Sequence, residues 1–515
     1  MKNNVKNLQA DLSASVVVFL VALPLCLGIA LGSKAPLFSG IITGAVGGII
    51  VGLLSGSPLS VSGPAAGLTA IVASAITEMG QFETFLLAVV LAGVFQVILG
   101  FVKAGIIGDY IPNSVIKGML AAIGLILILK QMPHLVGYDD DFEGDENFIQ
   151  TNAENTFSEL IQLLNRFTPG AVITGAVAML ILIIFETQTV KKNSFLKQVP
   201  GALMAVLSGL LLNYYFSFSS TALKLEPTHL VNLPILKEGE SFVSLFQVPD
   251  FKQIMNPVVW KVALTLAIVA SLETLLSIEA VDKLDPYKRV TPTDRELKAQ
   301  GIGNIVAGLL GGLPLTSVIV RSSANVNAGG RSKVSAITHG IILFSCVLLI
   351  PLILNKIPLA SLAAILIFTG YKLAKWTLFK EFHQKGWDQF IPFVGTIIAI
   401  LLTDLLIGIC IGIAIALFFL IRSNFHNSVS MFRDNNNFIL KLKKDVSFLN
   451  KPFIKQKLEE IPESSFLIID LSKADFIDKD IIDVIFEFKQ HASLKNIQIE
   501  IKENEQNQHR LKSRI

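Results

Sequence analysis

The chain of 515 residues is 52% hydrophobic and only 16% charged, which excludes an ordinary water-soluble enzyme and requires a bilayer as part of the solvent. Its formal charge of +3 is nearly balanced and no basic block is long, so nothing points to a nucleic-acid partner. Cys26, Cys346 and Cys410 lie in separate apolar runs with no shared spacing, and read as small packed hydrophobes, not as a disulfide framework or metal cluster.

Residues 1–11 are predicted to be a cytoplasmic N-terminus. Lys2 and Lys6 precede the apolar run Val16 to Leu23, as in a secretion signal, but no small-residue cleavage site follows and hydrophobic segments continue. The run is therefore predicted to stay as the first membrane helix. Between Leu12 and Ile421, about fourteen runs approach the roughly 20 apolar residues needed to span a bilayer. They are centred from Ala22 and Val46 through Val269 and Val318 to Ile411. Cytoplasmic loops are the basic ones. With the N-terminus inside, the groups Lys191, Lys192, Lys197, then Lys283, Lys288, Arg289, Arg295, Lys298, then Lys372, Lys375, Lys380, Lys385 all fall inside, and the acidic loop from Asp139 to Glu146 falls outside. From 424 to 515 charge rises and apolar runs shorten. Phe438 to Leu442 and Ile497 to Ile501 alternate as half-buried strands, Phe466 to Ile469 reads as a buried strand, and Asp480 to His491 reads as a helix, giving a small cytoplasmic α/β module.

The predicted fold class is thus an all-α polytopic membrane protein with a short α/β tail. Gly52-Leu-Leu-Ser-Gly-Ser-Pro-Leu-Ser60 is echoed by Gly308-Leu-Leu-Gly-Gly-Leu-Pro-Leu-Thr316, with six identical positions and a hydroxyl residue closing each copy. Repeats over about 12–218 and 257–423, each with an odd number of segments, must enter the membrane from opposite sides and so be inverted. Pro58 and Pro314 each forbid a regular helix ahead of the next segment, and Gly63-Pro64 adds a second break in the first half. The chain after each break is expected to be extended, then helical. A helix start carries N–H groups without internal acceptors and a partial positive charge, so two facing starts form an anion site that needs no lysine. Ala65, Ala66, Gly67 and Thr69 in the first half and Thr316, Ser317 and Val318 in the second are the candidates to surround the ion. The plainer alternative is that these small and hydroxyl residues only permit close helix packing.

Glu273 sits inside the apolar stretch Leu264 to Ala280, where a carboxylate is costly and commonly marks a coupling ion. Ser277, four residues on, shares its helix face. This face is expected to meet the second broken segment, with Glu273 and Ser277 holding a proton or a sodium ion; the alternative is a structural carboxylate bonded to backbone freed at Pro314. Arg321 either lends positive potential to the anion, pairs with a carboxylate, or snorkels to the cytoplasmic edge. His339 reads as a packed, hydrogen-bonded residue, and Glu279 as interfacial.

Asp11-Leu-Ser-Ala-Ser15 leading to Ala22-Leu-Pro24, Val61-Ser-Gly-Pro64, Ser271-Leu-Glu273, Arg295-Glu-Leu-Lys-Ala-Gln-Gly301 with Asn304, and Pro314 through Arg321-Ser322 together resemble the sulfate permease (SulP) family of anion transporters, over essentially the whole chain. The resemblance implies a core and a gate domain that move relative to one another around the anion, a homodimer, and a tail that is a STAS domain. Phe466-Leu-Ile-Ile-Asp-Leu471 and Asp475-Phe-Ile-Asp478 look like that domain's central strand and following loop. Asp478-Lys-Asp480 departs from the usual Asp-Ser-Ser pattern, which puts phosphoregulation in doubt, and the tail is short for a complete domain. Leu25 and Ile29 stand where the family commonly has Gln and an aromatic residue, and Val320 where a serine often precedes the arginine, so the site is less polar than usual. Leu23-Pro-Leu-Cys-Leu27 and Thr316-Ser-Val-Ile-Val-Arg321 look like the bacterial subgroup associated with carbonic anhydrases. This implies bicarbonate beside sulfate as substrate, a carbonic anhydrase neighbour, and the bacterial inner membrane.

The expected function is secondary transport of a small inorganic anion coupled to H+ or Na+, with no other cofactor and no catalytic residues. An uncoupled channel using the same dipoles as a filter, an exchanger, and a nucleobase permease are the competing readings.

Overall fold

The computed structural model describes residues 2–139, 156, 166–188, 190, 199–219, 223–233 and 245–502. The acidic loop beyond Asp139 and the group Lys191, Lys192, Lys197 lie outside the described residues.

The first half runs through α1 (Lys2–Gly32), α2 (Leu37–Leu54), strand β1 (Ser62–Pro64), α3 (Ala66–Met79), α4 (Phe82–Phe101), α5 (Asn113–Val136), α6 (Pro169–Glu186) and α7 (Gly201–Ser219). The second half follows with α8 (Pro257–Leu284), α9 (Thr293–Leu310), strand β2 (Leu315–Ser317), α10 (Ile319–Asn327), α11 (Val334–Leu349), α12 (Leu359–Leu373), the short α13 (Trp376–Gln384), α14 (Trp387–Leu402) and α15 (Leu405–Ser428). Among the described residues, eight helices are long and apolar enough to cross a membrane, and further apolar helices are shorter. Leu180 and Ile183 on α6 and Leu211 and Phe218 on α7 are exposed, an apolar surface of the kind that faces lipid or another protein. The N-terminal residues are already helical, since α1 begins at Lys2, and Asp11 is buried, accepting hydrogen bonds from the amides of Arg331 and Ser332.

The packing obeys one exchange rule. Helix α4 packs along α9 as α11 does along α2; α1 packs on α11 as α8 does on α4; α5 meets α14 as α12 meets α6. Exchanging α1–α5 for α8–α12, and α6 for α14, turns each contact into its mate. The contacts α5–α12 and β1–β2 exchange into themselves, as two inverted copies around one axis require. Glycines set these crossings. A Cβ on Gly93 would lie 2.5 Å from the Gly301 carbonyl oxygen, and one on Gly301 2.6 Å from that of Gly93. Gly124 and Gly370 face each other in the same way on α5 and α12, and Gly48 and Gly340 on α2 and α11. Backbones this close gain packing and weak interhelical contacts that larger residues forbid.

Thr43 ties the halves together: its hydroxyl accepts from Leu313 N at 2.6 Å, and lies 2.7 Å from the Ser39 carbonyl. Thr43→Val leaves the Leu313 amide buried without a partner and is expected to cost about 1–3 kcal/mol, read as a lower unfolding temperature of the detergent-solubilised protein.

A second compact unit covers Ala414–Ile515, so the contacts divide inside α15, which also contains the predicted boundary at 424. Its strands β3 (Val429–Asp434), β4 (Asn437–Val446), β5 (Phe466–Ile477) and β6 (Gln498–Lys502) form one sheet in that order, with β3 antiparallel to β4 and the others parallel. The crossovers are α16 (Lys451–Glu459) and α17 (Lys479–Ala492). Ile454, Leu458, Ile481 and Ile485 cover Leu440, Leu467 and Ile469. Strand β5 alternates, with Leu467 and Ile469 buried and Phe466 and Ile468 only half-buried, because helices cover one face; the fully buried strand read from the sequence is a one-sided one. Asp478 caps α17, accepting from Asp480 N at 3.2 Å and Phe448 N at 3.1 Å. Asp478→Ala should therefore cost this unit about 1 kcal/mol in urea unfolding.

Candidate functional site

The two breaks pair directly. Ser62 lies opposite Ser317, Gly63 opposite Thr316 and Pro64 opposite Leu315, in a two-stranded antiparallel sheet with one strand from each half. Three-residue strands alone are not stable, and polar side chains from neighbouring helices hold them. Asn304 on α9 brackets Leu315, accepting from its amide at 2.7 Å and donating to its carbonyl at 3.0 Å, and also donates to Gln96 on α4 at 2.6 Å. Gln300 donates to Ser62 Oγ at 2.7 Å and to Glu296, which Ser55 in turn contacts. The Val61 amide donates to Ser322 Oγ at 2.9 Å, Asn325 donates to the Leu59 carbonyl at 2.9 Å, and the Ser60 and Ser317 hydroxyls meet at 2.6 Å.

Beyond each strand the chain turns helical after one extended residue, Ala65 (φ −95°, ψ 121°) in the first half and Val318 (φ −113°, ψ 118°) in the second. In the first half Leu68 N bonds the Ala65 carbonyl and Thr69 N that of Ala66, so the helix leaves the Ala66 and Gly67 amides unspent. In the second half the Val318 amide is spent on the Val61 carbonyl at 3.0 Å, and the Ser317 amide on Thr274 Oγ1 at 3.3 Å. The first intrahelical bond runs from Ser322 N to Val318 O, which leaves Ile319, Val320 and Arg321 at the amide-bearing end. The amides available to an anion thus begin one residue past Val318. Gly67 and Ala70 are exposed, and Ala66 and Val318 partly so, within an otherwise buried stretch.

Thr69 Oγ1 and Thr316 Oγ1 are buried without a hydrogen-bond partner, which is costly unless a ligand supplies one. Arg321 is wholly buried, forms no ion pair among the described residues, and leaves Nε and Nη1 without partners. Its Nη2 contacts Cys26 Sγ at 3.3 Å, and it lies so close to Gly63 that a Cβ there would overlap Nη1. Of the three readings of Arg321, burial removes snorkelling and the missing carboxylate removes pairing. What remains is an uncompensated positive charge beside the strand pairing.

On α8, Glu273 is 7% exposed and faces the first helix start: a Cβ on Gly67 would lie 3.4 Å from Oε2 and 3.5 Å from Oε1. Thr274, the next residue, touches the second broken segment through Ser317, and Ser277 is buried one turn further along. The face carrying Glu273 was expected to meet the second broken segment; the carboxylate itself is turned to the first.

His339 is packed as expected, but both ring nitrogens lack hydrogen-bond partners, and the nearby charge that acts on the ring is Arg321, which has no acceptor to offer. Of the cysteines Cys26 is buried, Cys346 intermediate and Cys410 exposed, so Cys410 lies on the outer surface of its helix. Leu25, Ile29 and Val320 are buried; Ile29 on α1 belongs to one apolar cluster with Ala65 and Leu68 at the first helix start, and Val320 lies in the first turn of α10. A cavity of about 390 Å³ lies between α1 and α10 on one side and α6, α7 and α12 on the other, and one of about 210 Å³ lies between α1, α2 and the far end of α5. The gap between the two groups of helices is therefore hollow at both ends.

The pattern describing the Sulfate permease family matches residues 8–396, and that of the STAS domain matches residues 428–511. The chain is 29% identical over 420 residues to YvdB of Bacillus subtilis (strain 168), covering 81% of this chain and 74% of that protein. It is 25% identical to the "Bicarbonate transporter BicA" of Picosynechococcus sp., over 81% of this chain and 70% of the other. Among solved structures, the transmembrane domain of a cyanobacterial bicarbonate transporter BicA superimposes with a TM-score of 0.56 at 24% identity, over 78% of this chain and 97% of that one. Murine Slc26a9 in an inward-facing state superimposes with a TM-score of 0.66 at 16% identity, over 96% and 85%. Both share the fold.

Proposed function

Since the chain belongs to the Sulfate permease family, and carries a STAS domain, we propose that it is a multi-pass transporter of a small inorganic anion in the bacterial plasma membrane, with both termini cytoplasmic. The observation that carries this reading is the antiparallel pairing of Ser62–Pro64 with Leu315–Ser317, which brings two helix starts from opposite halves to one place. Their unspent amides, the orphaned Thr69 and Thr316 hydroxyls and the uncompensated Arg321 all favour negative charge there. Ile29 and Val320 put apolar side chains beside the two helix starts, and the cost of stripping water from an ion rises with its charge. That favours singly charged bicarbonate over sulfate, in line with the named activity of the BicA relative.

Glu273 supplies coupling. A carboxylate beside Gly67 repels the anion that the same helix start attracts, unless a proton or a sodium ion neutralises it, so the two ions bind together. Strands and helix starts move as one body with α1–α4 and α8–α11, and slide against α5–α7 and α12–α15 to expose the site to either side in turn.

The test is uptake of labelled bicarbonate, sulfate and a dicarboxylate into proteoliposomes, with sodium and proton gradients imposed separately. Gradient-dependent bicarbonate uptake is expected. Unitary currents with no dependence on either gradient would instead mark a channel.

A further inference from the structure

Helix α5 ends in the left-handed Gly137 (φ 78°), with Gly137 N bonded to the His134 carbonyl and Tyr138 N to that of Pro133. This turn lays Asp139 back over the last turn of its own helix. Asp139 Oδ1 accepts from His134 Nδ1 at 2.6 Å, and Oδ2 accepts from His229 Nδ1, ninety residues later in the chain, also at 2.6 Å. The far nitrogen of His229 lies 3.1 Å from Thr168 Oγ1, which is also 3.1 Å from the Gly137 carbonyl. When the Thr168 hydroxyl donates to that carbonyl it accepts from Nε2, and with Nδ1 donating to the carboxylate His229 carries both protons; when the hydroxyl turns to donate to Nε2, His229 is neutral. The same frame serves both states, and only the first holds an ion pair.

The segment bearing His229 is itself fastened to the turn before α12: Val231 N donates to the Ile357 carbonyl at 3.0 Å, and Leu233 N to Asn355 Oδ1 at 2.7 Å. The cluster thus ties together the end of α5, the start of α6 and the approach to α12. His134, Asp139 and Leu230 form one wall of the 210 Å³ cavity, and Gly28, Leu31 and Leu37 of α1 and α2 form the other. Across the cavity, α1, α2 and α12 present only apolar residues. Among the described residues the charged groups acting on His229 are Asp139 and, ahead of its turn, Glu226.

We propose that His134, Asp139 and His229 form a proton-binding latch that, while His229 is protonated, pins the segment carrying His229 and Asn232 to the ends of α5 and α6, and so fixes the wall of the gap that faces α1 and α2. This rests on the transport reading and its orientation. The charges agree in sign. The Asp139 hydrogen bond lifts His229 above the ordinary imidazole value against the opposing effect of burial, helped by the charges of Asp139 and Glu226. Burial works against the Asp139 charge, but the two imidazole hydrogen bonds outweigh it and hold the carboxyl below its ordinary value. The ion pair therefore persists from the depressed carboxylate range up to the raised imidazole value, and is lost as pH rises through the latter. The latch loosens on the alkaline side.

The test uses spin labels at Leu31→Cys and Asn232→Cys, with Cys346 and Cys410 replaced by serine, in lipid nanodiscs without substrate. Inter-label distances are measured from pH 6 to pH 9. A longer-distance population is expected to grow with pH, by up to about tenfold per unit, the limit for one coupled proton. Asp139→Asn should show that population at every pH, and His229→Gln, which keeps an amide donor, should abolish the pH dependence. Distances that do not change with pH, or that titrate alike in His229→Gln and the parent, overturn the latch. Because no anion is needed, this outcome is independent of whether uptake of bicarbonate is found.

Discussion

Glu273→Gln should lower gradient-driven anion uptake at least about tenfold and abolish its dependence on the sodium or proton gradient, a loss of about 1.4 kcal/mol or more of coupling. The substitution is nearly isosteric, so the packing of α8 against the two breaks is kept while the negative charge beside Gly67 is removed. Without that charge the anion no longer requires a companion cation. Anion binding in the absence of any gradient should survive or tighten, and exchange of labelled for unlabelled anion should persist. A Glu273→Gln protein whose uptake still follows the imposed gradient in full would leave the carboxylate a structural group only. Ser277→Ala, one turn along the same face, separates the ions: a raised requirement for sodium would point to a metal ion at this face, and no change to a proton on Glu273 alone.

Gly63→Ala should be more damaging still, although it adds a single methyl group. The new Cβ would overlap Arg321 Nη1, and neither partner has room to yield, because Gly63 is paired with Thr316 and Arg321 is wholly enclosed. Overpacking of this kind costs about 1–3 kcal/mol, and here it also pushes a charged group away from the site it serves. Uptake is expected to fall by about a hundredfold, with the two strands parted and a lowered unfolding temperature. Gly108→Ala is the control: its Cβ would lie 3.5 Å from Leu275 Cβ, ordinary contact, and both stability and uptake should match the parent. Equal activity in the two variants would mean that the Gly63–Arg321 contact has no part in transport.

The break at Pro58 and its echo at Pro314 were legible because proline and glycine act through the backbone, and their effect on the chain does not wait for tertiary packing. The positions of the long helices and the repeat followed from the same signals and from apolar run length, but the run centred on Val318 is a strand, one extended residue and the nine-residue α10, not a spanning helix. The direct pairing of the breaks was not legible, since three residues are too few to show an alternation and the partner strand lies about 250 residues away. For the same reason the donor set was read one step early. Val318 has no polar side chain to mark a helix start, and only the tertiary bond to Val61 reveals that its amide is already used. His339 was expected to be hydrogen-bonded because buried imidazoles commonly are, yet neither ring nitrogen has a partner. The His134, Asp139 and His229 cluster gave no signal at all: its members are joined by a helix cap and a loop tied to α12, neither of which has a sequence period.

The central claim is that amides at two paired helix starts, one from each half, hold the anion. Single-particle maps of the protein in nanodiscs, with and without a saturating concentration of the transported anion, test it most directly. The account requires new density within hydrogen-bond reach of the Ala66 and Gly67 amides and of the Ile319 and Val320 amides, near the Thr69 and Thr316 hydroxyls. Density that settles elsewhere in the gap, with these amides and hydroxyls left uncontacted, would contradict it.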